Sequence, residues 1–329
     1  MIKVLKIVPI ICFITICSLS AFSQTISISG TVKDAQGQPV PEAFVRDAQH
    51  YYATYADSAG TFKLKADPAS SLIAIAPGYT DTKVTIENKS VINIVMAKGA
   101  SSSDGGAGGS GNTGTTANNL MFVNRQNLVA QVGNSQVAKA GFNQEATKGS
   151  PYMFASWVRG FAVSKGDSLL FDVNSLYNYD KMSGDLLFTR DKNVIMQVNK
   201  EQVKYFSLSD GKLYPHVFES APSISKKPFI ELLVNTSKYK VYKITDTRLE
   251  RANFHSDGVI ETGNRYDEYQ DVVHYYFVKL PDGAAKQFSL KWKAVKELFA
   301  GDADKFVASH NSQDINDDCL RELNLNLPQ

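Results

Sequence analysis

The sequence predicts a mainly β protein, with an N-terminal seven-stranded β-sandwich followed by a larger antiparallel β domain that ends in helices. Between residues 25 and 97, short apolar runs alternate with polar residues and turns, which is typical of half-buried strands. From residue 152 to 290, similar runs are separated by hairpin-like turns. From Trp292 onward, apolar residues recur at spacings of three and four, which indicates amphipathic helices.

Residues 1–23 are typical of a cleaved secretory signal peptide. Lys3 and Lys6 give a basic start, an apolar run follows, and Ala21 and Ser23 place small residues before the expected cleavage site at Gln24. The apolar run is shorter than the roughly 20 residues that a membrane span needs. We therefore expect an exported protein of the periplasm or the cell surface, with no integral membrane span after cleavage.

The charge and cysteine content exclude several classes of partner and site. The chain has 35 basic and 33 acidic residues, and two of the basic residues lie in the signal peptide. The mature chain is then neutral, so no nucleic-acid partner is expected, because binding a phosphate backbone depends on positive charge. Two of the three cysteines are also in the signal peptide. Cys319 remains alone, which excludes an intramolecular disulfide and a zinc site built from several cysteines.

A series of short motifs runs through residues 25–97. In chain order they are Gly30–Asp34, Gly37–Pro41, Ala43–Val45, Asp57, Gly60 with Phe62, Gly78 with Tyr79, and the closing run Ile92–Val95. With these motifs the segment resembles the carboxypeptidase regulatory-like domain, whose members are similar to transthyretin-like seven-stranded sandwiches. The resemblance implies a non-catalytic accessory module of exported proteins, especially in Bacteroidota. It also implies that Gly30, Gly60, Gly78 and Tyr79 serve turns and packing.

The next segment, 99–119, predicts a flexible linker. It contains seven glycines and four serines in 21 residues and almost no large apolar side chain. Residues 106–111 formally match the G-x-G-x-x-G pattern, but no strand precedes them and no helix follows, so linker composition accounts for the match. The expected organisation is a signal peptide at 1–23, a sandwich at 24–98, this linker, and a β-rich domain at 120–329.

The β-rich domain carries a second set of motifs. These are Trp157–Gly160, Tyr177–Asp180, Gly184–Phe188 and Val203–Phe206. Over roughly 150–326 the chain is similar to exported Bacteroidota proteins of unknown function, a resemblance that implies no established chemistry. At the end of this domain we expect Gly301 to terminate the first helix and Asp314 to cap the last one. Cys319 is expected to pack on the apolar face of that last helix.

The search for catalytic and metal-binding patterns gives no catalytic residues, no metal ligands and no cofactor. The five histidines lack H-E-x-x-H spacing, and no G-x-S-x-G sequence occurs. Gly166–Leu169 and Asp271–His274 spell two pieces of the GDSL hydrolase pattern. They lie among predicted hairpins, whereas that family is similar to α/β folds with the serine in a strand-to-helix turn. We therefore interpret the match as accidental.

The segment from Arg248 to Gln270 is the strongest candidate for a binding loop. It is longer than an ordinary connection and is rich in charged and aromatic residues. The alternative is a disordered, solvated loop. The candidate binding residues are Arg248, Arg251, His255, Arg265, Tyr266 and Tyr269.

Three functional hypotheses remain open at this stage. The first is an exported, non-enzymatic cell-envelope protein that binds another envelope protein. The second is a binder of a small ligand or a glycan, with its site on the curved sheet of the C-terminal domain. The third is a hydrolase with an unrecognised site near His255 or His274.

Overall fold

A computed structural model describes residues 25–99, 145–281 and 283–327, together with the backbone of 122–124. It confirms the mainly β fold class, with several antiparallel sheets and helices at the C-terminal end. The expected signal peptide and nearly all of the expected linker lie outside the described residues.

The N-terminal region forms the expected seven-stranded sandwich. Its strands are β1 (Ile26–Asp34), β2 (Phe44–Asp47), β3 (Ala53–Tyr55), β4 (Thr61–Ala66), β5 (Ser71–Ile75), β6 (Thr82–Thr85) and β7 (Ile94–Met96). One sheet has the order β4-β1-β7 and the other β3-β2-β5-β6. Alternate residues such as Ile28, Phe62 and Leu72 are fully buried between the sheets, which is the reason for the period-two pattern.

Two glycines of the sandwich occupy positions where a side chain does not fit. A Cβ atom on Gly30 would lie 1.7 Å from the Ile92 carbonyl oxygen, so β1 approaches the neighbouring chain too closely for any other residue. Gly60 has a φ of +73° in the turn before β4, a conformation that favours glycine. In the same turn, the Asp57 carboxylate accepts hydrogen bonds from the backbone nitrogens of Ala59 and Thr61.

The C-terminal region is built on an eight-stranded antiparallel sheet with the order β10-β9-β14-β15-β16-β17-β20-β21. A four-stranded sheet has the order β11-β12-β13-β8, and β18 pairs with β19. The strands are β8 (Phe122–Asn124), β9 (Arg159–Ser164), β10 (Leu169–Phe171), β11 (Leu176–Asp180), β12 (Asp185–Thr189), β13 (Met196–Val198), β14 (Val203–Ser209), β15 (His216–Glu219), β16 (Ile230–Asn235), β17 (Tyr239–Glu250), β18 (His255–Ser256), β19 (Glu261–Thr262), β20 (Glu268–Lys279) and β21 (Lys286–Phe288).

Three helices follow: α1 (Trp292–Phe299), α2 (Asp304–His310) and α3 (Asp317–Asn326). The helical periodicity from Trp292 is thus confirmed. Two details of the prediction are wrong. The residue that caps α3 is Asn316, whose side-chain oxygen accepts from the Cys319 backbone nitrogen at 3.0 Å, and not Asp314. Gly301 lies inside a 3-10 turn that follows α1.

The predicted strand boundaries also need correction. Within the strand-like pattern predicted from residue 152, the first strand, β9, begins only at Arg159. The Asn178 side chain both donates to the Phe154 carbonyl and accepts from the Phe154 nitrogen, which ties this chain to β11 before β9 begins. Strand β15, a short run between a proline and a turn, was not predicted.

Both faces of the eight-stranded sheet are covered over part of their area. One face packs on the four-stranded sheet, where the Phe206 and Phe218 rings stack at 4.7 Å, and on the three helices through a second cluster that includes Val241 and Phe299. The opposite face contacts the sandwich. There Phe44 packs against Phe161 and other apolar residues of β9 and β10.

The sandwich and the large sheet are also joined by hydrogen bonds. The Tyr55 hydroxyl donates to the Gly160 carbonyl at 3.1 Å in a buried position, and the Ser58 backbone nitrogen donates to the Gly211 carbonyl at 3.2 Å. Burial raises the pKa of Tyr55, because ionisation would place a charge in this apolar contact.

A buried ionic cluster joins α3 to the large sheet. Glu231 on β16 is 4% exposed. Its carboxylate lies 2.7 Å from His216 Nδ1, 2.5 Å from Arg321 Nη2 and 3.7 Å from Lys243 Nζ. Lys243 also pairs with Asp317 at the start of α3 at 2.5 Å. Three strands and one helix therefore meet at a single carboxylate.

Opposing effects act on the pKa of Glu231. Burial alone would raise the pKa, but the hydrogen bond with His216 and the charges of Arg321 and Lys243 outweigh burial and hold the pKa well below its ordinary value. A depressed carboxylate pKa contributes stability that is present above the unfolded value, about 4.5, and is lost as the pH falls below it.

The substitution Arg321→Met is expected to lower the free energy of unfolding by about 3 kcal/mol at pH 7. The reason is that Glu231 loses its closest cation while it remains buried. The control is Lys89→Met, which removes an exposed ion pair with Glu87 and is expected to cost less than about 1 kcal/mol. Urea unfolding of both variants checks the difference, and equal losses would contradict the importance of the buried cluster.

Candidate functional site

The predicted binding loop is shorter and more ordered than expected. Arg248 lies in β17 opposite Gln270, and Tyr269 lies in β20 opposite Leu249. The connection between the two strands therefore runs only from residue 251 to 267. It contains the small hairpin of β18 and β19, with His255 on its first strand. The structure therefore differs from the alternative of a disordered loop, since strand pairing extends to Glu250 and Glu268 and a short hairpin lies between them.

The six candidate residues of this loop do not converge on one pocket. Arg251 pairs with Asp267 at 2.9 Å, the Arg265 guanidinium lies 4.1 Å from the Phe254 ring centroid, and the Tyr266 ring lies 3.5 Å from Lys148 Nζ. The side chains of Arg248 and His255 are exposed. These contacts explain why the loop is ordered, and its role in binding stays a prediction.

A cleft of about 380 Å³ lies elsewhere, between the sandwich and the large sheet. Its volume falls in the range of roughly 300–1,000 Å³ that small-molecule sites occupy. The floor includes Ser207, Val217 and Leu232, which are cross-strand neighbours on β14, β15 and β16. One wall is formed by residues 51–54 and β4, and another by α3.

Four tyrosines line this cleft: Tyr51, Tyr52, Tyr205 and Tyr214. The Tyr51 ring centroid is 5.6 Å from that of Tyr52 and 6.0 Å from that of Tyr205. The Tyr205 hydroxyl donates to the Tyr51 carbonyl at 3.2 Å. Burial, together with Glu322 on α3, raises the pKa of Tyr214 to about 12. The Tyr214 hydroxyl therefore keeps its proton at neutral pH and is able to donate it in a hydrogen bond.

The charged residues of the lining are Lys63 and Lys65 on β4, Glu219 on β15 and Arg321 on α3. Lys63 Nζ donates to the Tyr214 hydroxyl at 3.2 Å. Among the described residues, the Lys65 nitrogen has no hydrogen-bond partner, although it is shielded from solvent. Burial lowers the pKa of Lys65 to about 8.

The residues of the cleft do not form a recognisable nucleophile and base. Of the described residues that line it, none is a histidine or a cysteine, so the hydroxyls of Thr54, Ser207 and Thr236 have no imidazole beside them in the lining. No group of three or more potential metal ligands occurs within the described ranges. The described part of the chain also has no helix long and apolar enough to cross a membrane.

The two pieces of the GDSL pattern are far apart in the sheet. Ser168 precedes β10 at one edge, whereas His274 lies in β20, six strands away in the sheet order. At about 4.8 Å per strand this separation is roughly 30 Å. His274 lies 3.9 Å from Asp246 instead. These positions support the interpretation of the match as accidental.

The sequence did not reveal the cleft, because its lining comes from residues as distant as Thr25 and Leu325. One usable signal was present in β4. There Phe62, Leu64 and Ala66 face the core, so Lys63 and Lys65 necessarily share the outer face. The sequence of β4 does not indicate which part of the protein this outer face contacts.

Comparison with known proteins gives no match to a protein-family model, and no curated protein matches the chain either.

The substitution Lys65→Met is expected to raise the free energy of unfolding by about 1–3 kcal/mol at pH 7. Below pH 8 the amine is charged in both states, so the native protein bears the full cost of burying that charge. Between pH 8 and about 10.5 the native amine loses its proton before the unfolded one, and the gain from the substitution fades. Urea unfolding at pH 7, 8.5 and 10 measures the trend. A gain that is independent of pH would contradict it.

Proposed function

We propose that this protein is an exported, non-enzymatic binding protein of the cell envelope, and that the cleft between the sandwich and the large sheet is its ligand site. The observation that carries the proposal is the tyrosine-lined cavity of about 380 Å³, to which both parts of the chain contribute. Concave sites with aromatic walls and a few polar groups are typical of small-ligand binding.

The composition of the lining supports binding rather than hydrolysis. Tyrosine rings provide large contact surfaces with little loss of side-chain freedom, and their hydroxyls orient a ligand by hydrogen bonds. The described lining contains no imidazole or thiol, and Lys65, whose pKa burial lowers to about 8, makes no hydrogen bond to a serine or threonine hydroxyl there. The likeness of residues 25–97 to a non-catalytic accessory module supports the same proposal. In this proposal, the accessory sandwich provides one wall of a site whose floor is the large sheet.

A thermal-denaturation screen tests this proposal. Purified protein is heated in the presence of neutral sugars, acidic sugars, aromatic acids and amino acids. A ligand at about 100 times its dissociation constant adds about 2.7 kcal/mol to the free energy of unfolding. We expect a stabilising ligand from this panel.

Two tyrosine variants locate the site of a stabilising ligand. Tyr51→Ala alters the cleft, and Tyr266→Ala alters the loop of residues 251–267. The stabilisation should be lost in Tyr51→Ala and kept in Tyr266→Ala. The reverse pattern would move the site to the loop, and no stabilisation by any compound would contradict ligand binding by the cleft.

A protein partner is a second candidate function, favoured by the hairpin of β17 and β20. These strands pair over 12 residues each, well beyond the part of β17 that pairs with β16. At the far end, the side chains of Val259 and Ile260 are 90% and 60% exposed. Exposed apolar residues on a projecting arm are typical of contact sites for other proteins.

Crosslinking in intact cells tests this second candidate. The double variant Val259→Ser and Ile260→Ser is expected to lose a crosslinked envelope protein, while Tyr51→Ala keeps it. Val259 and Ile260 are exposed, so their replacement should leave the melting temperature unchanged. Crosslinking that is unaffected by the double variant would show that the hairpin end is not the contact.

A further inference from the structure

Two of the four charged residues that line the cleft, Glu219 and Arg321, have counter-charges within the protein. The Glu219 carboxylate accepts hydrogen bonds from Lys240 Nζ at 2.6 Å and from the Tyr242 hydroxyl at 2.5 Å. Arg321 pairs with Glu231 and, through Nη1, with Asp318 at 2.5 Å. These two lining residues therefore have their counter-charges within the protein.

The two lysines of β4 differ from each other. Lys63 donates to the Tyr214 hydroxyl, and Glu322 lies close enough to Tyr214 to raise the pKa of that hydroxyl. Lys63 therefore has a hydrogen-bond partner in a neutral hydroxyl. Lys65 has no hydrogen-bond partner and no ion pair among the described residues. Burying an ammonium group without a partner costs free energy, because the group loses its hydration and gains no hydrogen bond or ion pair.

We infer that the cleft takes a small ring-bearing carboxylate, such as a sugar acid or an aromatic acid, and that the Lys65 amine, which is shielded in the empty cleft, turns into it on binding and pairs with that carboxylate. Of the four charged lining residues, Lys65 is the one whose charged group makes no hydrogen bond among the described residues, so we assign one carboxylate to its amine. The tyrosine rings select a ligand with a flat or ring-shaped body. This inference rests on the proposed function of the cleft and specifies its ligand class.

Binding of such an anion should depend on pH. In the empty cleft, burial lowers the pKa of Lys65 to about 8, and a carboxylate beside the amine would raise it. Binding at pH 8 is therefore accompanied by proton uptake, and the affinity falls as the pH rises above 8. The other titratable groups that line the cleft are Tyr51 and Tyr52 beside β3, Lys63 on β4, Tyr205 on β14, Tyr214 before β15, Glu219 on β15 and Arg321 on α3.

Calorimetric titration with two matched pairs of ligands tests the inference. The pairs are glucuronate with glucose and benzoate with benzyl alcohol, which differ in the acid group. At least one acid should bind at millimolar or lower concentration and at least 10-fold more tightly than its neutral counterpart. Titration at pH 8 in two buffers with different ionisation enthalpies measures the proton uptake.

Two lysine variants test whether Lys65 is the amine that binds the acid. Lys65→Met should weaken binding of the acid at least 10-fold and abolish the proton uptake. The matched control is Lys83→Met on β6, an exposed lysine of the same sandwich outside the cleft, which should leave both unchanged. Lys65→Met is expected to be more stable than the parent protein, so a loss of binding cannot be attributed to unfolding.

The outcomes separate this inference from the proposed function. If the neutral compounds bind as tightly as the acids, and Tyr51→Ala abolishes that binding, the anion assignment is overturned while the cleft remains a ligand site. If the acids bind equally well to Lys65→Met, the role of Lys65 is overturned. If no compound of either pair or of the thermal screen binds, both the inference and the proposed function are overturned.

Discussion

A single row of side chains crosses the eight-stranded sheet, with the charged residues Glu231 and Lys243 at its centre. Both charges are buried, so the elements packed on that face must supply their counter-charges. Cross-strand pairing places in this row Leu170, Ala162, Phe206, Phe218, Glu231, Lys243, Tyr275 and Phe288. Apolar and aromatic residues flank the central Glu231 and Lys243. A buried carboxylate is tolerated only when cations and hydrogen bonds replace its water. From α3, Arg321 pairs with Glu231 and Asp317 pairs with Lys243, so the helix supplies a counter-charge to each of the two central residues.

The ionic cluster also borders the cleft. Arg321 both binds Glu231 and lines the cleft, so the ionic cluster fixes one wall. The opposite wall is fixed by the aromatic contact in which Phe44 and Tyr55 of the sandwich meet Phe161 of the large sheet. The cavity is the space left between two walls that are held independently. Lys65 is confined to it because its strand must direct alternate residues toward the sandwich core.

The parts of the fold that could be predicted depend on local patterns. The sandwich strands and α1 were recognised because burial of one face imposes a period of two or 3.6 on the sequence. Strand β15 was missed because its four residues carry too short a pattern, and the polar ends of β17 and β20 were interpreted as loop. Those ends are strands because Arg248 pairs with Gln270 and Glu250 with Glu268, across a connection that the sequence alone does not reveal. The six candidate residues of the loop were gathered by sequence proximity, which does not bring them to one point.

The mainly β class and the shared outer face of Lys63 and Lys65 follow from the sequence, because burial of one face of a strand imposes a period of two over a few residues. The close approach at Gly30 involves Ile92, which is distant in the chain, so it depends on tertiary contacts. The pattern of the first 23 residues also predicted export, and the residue counts then predicted a neutral mature chain. Packing between distant segments determines which charged groups have a counter-charge and which have none. Glu231 and Arg321 are 90 residues apart, and the cleft combines residues from 25 to 325. The energetic cost of a buried charge depends on how much hydration it has lost and on which partner it has gained. Both depend on packing between distant segments.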